Sequence, residues 1–146
     1  MKKVSIVFSL LIFVLTAFVS VSQLFVVPKG WPKPIYDFSK NPLSNEKIAL
    51  GRALFYDPIL SKDNTISCAS CYNPYNAFAH ADHQLSHGIE DKIGTRNAPA
   101  LVNLAWQKKF MWDGAINHLD MQSLFPITHP DEMGEQLDQV ISKLKG

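Results

Sequence analysis

Two cysteines, Cys68 and Cys71, stand three positions apart in the run Cys68-Ala69-Ser70-Cys71, and the sequence holds no others. A pair at this spacing supports four chemistries: a disulfide, a redox dithiol, half of a metal site, or thioether attachment of a haem through its two vinyl groups. Thioether attachment places the next residue, ordinarily a histidine, below the iron as axial ligand. Here that next residue is Tyr72. His80, His83 and His87 follow closely enough that two of them, with both thiols, would complete a tetrahedral set for zinc or another metal. A thioredoxin-like dithiol is disfavoured, because no strand pattern precedes Cys68.

Helices must position these groups. Ser44 is placed to cap a helix with Glu46 in its first turn, and Leu50, Ala53 and Leu54 then share a face at helical spacing. Gly51 lies on that stretch, where a missing side chain would let another backbone approach. Near the carboxyl end Leu137, Val140, Ile141 and Leu144 fall at i, i+3, i+4 and i+7, which predicts an amphipathic helix with Glu135, Gln136, Asp138, Gln139 and Lys143 on the wet side. Between them the chain is rich in loops, with shorter helices expected around Ala98–Trp106 and His118–Phe125. No stretch alternates in the manner of a strand, and no repeat is present. A mostly α-helical domain with long loops would gain from a large apolar cofactor what it lacks in core.

The surroundings of the cysteines resemble the bacterial di-haem cytochrome c peroxidase and MauG-like family over nearly all of residues 48 to 144. The likeness starts at Leu50-Gly51-Arg52-Ala53-Leu54-Phe55 and Asp57-Pro58-Ile59-Leu60-Ser61 and runs through Thr65-Ile66-Ser67 into the CxxC. It continues at Asn73-Pro74, Ala77-Phe78, Arg96-Asn97-Ala98-Pro99-Ala100-Leu101 with Asn103, and Trp112-Asp113-Gly114. It closes with Leu119, Gln122, Pro126 and Glu132-Met133-Gly134.

The resemblance implies a cytochrome c-like fold around one covalent haem c, corresponding to the amino-terminal domain of the family, with no second haem domain within this chain. It makes Cys68 and Cys71 the thioether attachments and puts Tyr72 at the proximal histidine's position, either as a phenolate ligand or as an aromatic packed on a loop. Trp112 matches the tryptophan between the two haems. Gln122 and Glu132 match the amide and carboxylate on the peroxide side, where heterolysis of the O–O bond needs a proton shuttle. His87 is a candidate distal ligand, although Ile89 occupies the usual ligand position, and Asn97 matches a contributor to a calcium site. The implied reaction is reduction of hydrogen peroxide to water with electrons from a small cytochrome c or cupredoxin, with a separate second haem domain or a homodimer as possible partners. A decayed, inactive peroxidase domain and a non-enzymatic Cys/His metal module are the alternatives.

The 146 residues include 14 Lys and Arg against 13 Asp and Glu, a formal charge of +1, which gives no basis for a nucleic-acid partner. From Val4 to Val27 the sequence carries no charge, follows Lys2 and Lys3, and is long enough to cross a bilayer. Residues 1–27 therefore read as a signal peptide or a retained membrane anchor, and the remainder is expected in the periplasm or an equivalent extracytoplasmic space. Residues 28–43, with four prolines, read as an extended tether. The domain itself is expected over 44–146.

Overall fold

The computed structural model describes residues 24–146. Among these residues there is no strand, only isolated antiparallel bridges at Asn73–Ala79, His87–Ile93 and Phe110–Ile116. The α-helical segments are α1 (Asn45–Tyr56), α2 (Cys68–Cys71), α3 (Leu119–Gln122), α4 (Leu124–Thr128) and α5 (Leu137–Lys145). Short 3-10 turns punctuate the loops between them. The expectation of a mostly α-helical chain with long loops holds. No helix among the described residues is long and apolar enough to cross a membrane, and most of the uncharged run lies outside them.

Helix α1 begins where its cap predicts: the Ser44 hydroxyl accepts from the Lys47 amide at 3.2 Å. Its expected apolar face is not buried. Leu50 is 60 % exposed, and of that face Leu54 alone packs against the core, formed by Leu60, Ile127, Met133 and Val140. Nothing approaches Gly51, so the close backbone contact expected there is absent.

The helix expected over Ala98–Trp106 shrinks to a 3-10 turn at Leu104–Trp106. Pro99 disfavours the helical conformation at Ala98 and offers no amide to a helix, and Asn103 takes a left-handed φ of 52°. The helix expected over His118–Phe125 breaks between α3 and α4, since Pro126 has no amide to give the Gln122 carbonyl four residues back.

Helix α5 forms as its periodicity predicts but buries only Val140, leaving Leu137, Ile141 and Leu144 exposed. Glu135 and Lys143, expected on the wet side, face inward together. Glu135 is 6 % exposed, and its carboxylate meets the Lys143 ammonium at 2.6 Å. The same ammonium donates to the Ser61 carbonyl at 2.6 Å and to Asn64 Oδ1 at 3.0 Å. A long side chain crossing from the last helix to the loop before the cysteines gathers acceptors that an aliphatic residue would leave unpaired.

The proline-rich segment bends through turns at Lys29–Gly30 and Phe38–Lys40 and lies against the domain. Prolines leave their carbonyls available as acceptors, and Trp106 Nε1 donates to the Pro32 carbonyl at 2.9 Å. The amides of Ile35 and Tyr36 both donate to the Ala105 carbonyl, at 2.9 and 3.0 Å. The Tyr36 hydroxyl donates to Asp120 Oδ1 at 2.6 Å, a bond that raises the phenol's pKa above its ordinary value. Phe25, Trp31, Tyr36 and Phe38 interleave with Trp106 in an aromatic strap across the domain.

The Lys143 ammonium is the first cause holding the Glu135 carboxyl below its ordinary pKa. The stabilisation is therefore present at neutral pH and lost as pH falls through that lowered value. We predict that Lys143→Met costs about 2 kcal/mol in urea unfolding at pH 7, with the gap from wild type narrowing as the carboxylate protonates.

Candidate functional site

The residues that carry the chemistry sit on short elements placed by side-chain hydrogen bonds. Ser61 is fully buried, and its hydroxyl donates to the Pro58 carbonyl while accepting from the amides of Thr65 and Ile66. That hub folds the loop so that Ser67 arrives as the cap of α2, where a capping box pairs it with Ser70. The single turn of α2 then carries Cys68 and Cys71 on one side, both free thiols and both partly buried. Tyr72 closes the turn, its amide donating to the Cys68 carbonyl at 3.0 Å.

These three residues line a cavity of about 400 Å³. Ile66, Met111, Phe125 and Met133 supply apolar walls, and Trp112, His87, His129 and Glu132 also border it. Burial pushes the Cys71 thiol up to about 11, with the nearby Glu132 and Cys68 adding to the effect, and raises Cys68 as well. Burial likewise pushes the Tyr72 phenol up to about 12. At neutral pH all three are protonated, which does not suit a reactive dithiol.

Glu132 reaches the cavity from the loop after α4. Desolvation raises its carboxyl above the ordinary value, Asp131 adds to the shift, and His129, 4.0 Å away, opposes it. Its backbone is fixed by the Ile89 amide, which donates to the Glu132 carbonyl at 2.8 Å. Two glycines make the crossing possible. A Cβ at Gly88 would sit within contact distance of the carbonyl oxygens of Asp131 and Glu132, and one at Gly134, whose φ is +62°, would strike the Ile89 side chain.

Gln122 lies behind the cavity wall. Its Nε2 donates to Met111 Sδ at 3.1 Å, and its Oε1 is buried without a partner among the described residues. Met111 itself is held at a left-handed φ of 65°. Trp112 follows on the bend bridged by Phe110 and Ile116, 64 % exposed, its Nε1 donating to the Asn97 carbonyl at 2.6 Å. It is thus a surface aromatic and not a core one. Asp113 next to it pairs with Arg96 at 3.2 Å. The Asn97 side chain donates to the carbonyls of His80 and His83, and its Oδ1 accepts from the Ala98 amide.

His87 borders the cavity with Nδ1 2.8 Å from Asp91 Oδ1, while Ile89 is 2 % exposed and belongs to the packed interior. The imidazoles of His80, His83 and His87 succeed one another at 5.6 and 4.8 Å between ring centres. They do not join the thiols: among the described residues no three His, Cys, Asp or Glu converge on a point fit for a metal ion. The Cys/His metal module is therefore not assembled. Sequence reasoning missed His129, whose clue was its i, i+3 spacing from Glu132, and it missed the Ser61 hub, for which the sequence carries no comparable signal.

Haem c fits this site. Two thiols three positions apart on a helical turn open onto a largely apolar cavity of cofactor size. The fold and the cavity together define a cytochrome c-type haem domain. A family model described as di-haem cytochrome c peroxidase matches residues 45–146, and the chain belongs to that family.

The chain is 40 % identical over 124 residues to the methylamine utilization protein MauG of Methylorubrum extorquens, covering 81 % of this chain and 32 % of that protein. It is 38 % identical over 107 residues to the cytochrome c peroxidase Ccp of Escherichia coli, covering 73 % of this chain and 23 % of the relative. Among solved structures, a MauG-like protein associated with microbial copper homeostasis superposes with a TM-score of 0.73 at 33 % identity, over 83 % of this chain and 36 % of that one. The diheme peroxidase BthA of Burkholderia thailandensis gives a TM-score of 0.63 at 28 % identity, over 69 % of this chain and 30 % of that one. The chain spans about a third of the length of the MauG relatives it matches.

A carboxyl whose pKa is raised by burial weakens the fold once it ionises. Replacing Glu132 by Gln is expected to raise the melting temperature at pH 7, with the gain vanishing below the ordinary carboxyl value of 4.5. Gly88→Ala is expected to lower the melting temperature by several degrees at either pH, because two backbone carbonyls must move.

Proposed function

We propose that this chain attaches one haem c through Cys68 and Cys71 and reduces hydrogen peroxide to water. The observation that carries the reading is the cavity itself, bordered by two protonated thiols on a capped turn and by a carboxyl with a raised pKa. Bound haem would supply the electrons that cleave the O–O bond. Tyr72, next to Cys71, is the residue that would hold the iron from the protein side, and it would have to give up its phenol proton to do so.

The other groups follow from chemistry. Peroxide reduction consumes two electrons and two protons for each pair of waters formed. Glu132 takes a proton from one peroxide oxygen and returns it to the other, so that the departing oxygen leaves as water rather than hydroxide. A carboxyl whose pKa is raised by burial is suited to both halves of that exchange. Gln122, behind the cavity wall, acts through Met111, whose sulfur it holds and whose side chain borders the space where peroxide would bind. Trp112, exposed and pinned by its indole nitrogen, gives electrons from a small cytochrome c or cupredoxin a fixed aromatic entry. A second haem domain on another chain, or a second copy of this one, would complete the route. The uncharged run at Val4–Val27, preceded by Lys2 and Lys3, supports an extracytoplasmic setting for this work.

The competing reading is a domain that keeps its fold but takes up no haem, because His is replaced by a phenol that burial keeps protonated. Production of the full chain in a host with cytochrome c maturation machinery decides between them. Covalent haem is expected by denaturing mass spectrometry on both the wild type and Tyr72→His. Haem on the Tyr72→His protein alone would leave a disabled domain. In the loaded protein Glu132→Gln is expected to lower kcat/KM for peroxide by about 10²–10⁴-fold while haem content is unchanged.

A further inference from the structure

The aromatic strap has a second side. Within Val26–Ile35 the apolar residues point outward as much as inward: Val26 is 66 % exposed, Ile35 50 % and Trp31 44 %. Trp31 sets one edge against Trp106, ring centres 5.0 Å apart, and leaves the rest of its indole uncovered. Lys29 and Lys33 are exposed between these residues, and neither has an ion-pair partner among the described residues.

What adjoins this face identifies its occupant. The uncharged run ends at Val27, and Phe25, inside that run, already packs on Phe38 and Trp106 at 4.6 and 5.7 Å. No free spacer therefore separates the run from the folded domain. If the run spans a bilayer, the residues next after it must lie in the headgroup layer. Exposed Val and Ile, a half-covered Trp and two unpaired Lys are the composition that layer takes up: aliphatic groups toward the acyl boundary, an indole at the interface, ammonium groups among phosphates.

We propose that the strap face, Val26 to Ile35 with Lys29 and Lys33, seats the domain directly on an anionic lipid bilayer in a fixed orientation. The proposal rests on the reading of Val4–Val27 as a retained span. It turns a chain expected to stand off the membrane on an extended tether into one clamped against it, with the backbone bonds to Ala105 and the Trp106–Pro32 bond as the clamp.

The test uses the full chain reconstituted in vesicles of phosphatidylcholine with a minority of phosphatidylglycerol, with acyl chains either plain or brominated near the headgroup. The ratio of tryptophan emission in the two lipids cancels quenching internal to the protein. The chain is expected to float with the vesicles and to emit less in brominated lipid. Trp31→Phe is expected to remove most of that difference, and Trp112→Phe to leave it. Lys29→Glu combined with Lys33→Glu, which leaves the packing on Trp106 untouched, is expected to reduce it at least twofold.

A chain that floats while its quenching survives Trp31→Phe, or is absent from the start, overturns the seating and leaves the anchor intact. A chain that does not float, with an amino terminus shown by mass spectrometry to begin after the uncharged run, removes the anchor and the seating with it. Thermal melting of each variant identifies any loss of fold, and the Lys pair decides the matter should Trp31→Phe unfold.

Discussion

The Ile89 amide donates to the Glu132 carbonyl where two loops cross, and the site depends on that crossing. One loop holds His87, whose carbonyl lies 3.9 Å from the Cys71 sulfur; the other holds Glu132 and His129. Lys92 ties the loops again by donating to the Pro130 carbonyl, and the Gly134 backbone leaves room for the Ile89 side chain. The domain has few buried apolar residues with which to hold its loops, so backbone contacts take over the positioning. Glycine at two points is the structural condition for it.

The same economy explains why so much of the interior is polar. Ser61, Glu135 and Lys143 form a connected set joining the last helix to the loop that presents the cysteines. Every charge in that set has an opposite partner, which is what permits ionic groups to be buried at all. Arg96, Asp113, Asn97 and Trp112 do the corresponding work on the opposite loop, where a surface tryptophan is held by a carbonyl instead of by a packed core.

Local signals were legible in the sequence wherever they were strong. Ser44 caps α1 and the 3.6-residue period at Leu137–Leu144 forms α5, both as read. What could not be read was where each face points. Helix α1 buries none of its residues and α5 only Val140, because the long loops, not a facing helix, surround them. Glu135 and Lys143 look like surface charges until the turn at Ser61 supplies acceptors from a segment distant in the chain. The prolines suggested an extended tether, but the segment turns and docks through the Trp106 indole and the Ala105 carbonyl, which no local pattern announces. Spacing brought Cys68, Cys71 and Tyr72 together because they share one turn; Glu132 and His129 join them only through the loop crossing.

The burial of the two thiols has a consequence for how the chain meets an oxidant. Thiol–disulfide exchange proceeds through the thiolate, and a Cys71 thiol raised to about 11 is ionised in roughly one molecule in ten thousand at pH 7. An oxidant meeting the folded domain would find little thiolate at Cys71, and burial disfavours it at Cys68 too, so closure into a disulfide would be slowed. The fold thus acts as a protecting group for both sulfurs, slowing the oxidation that would close them to any other reaction.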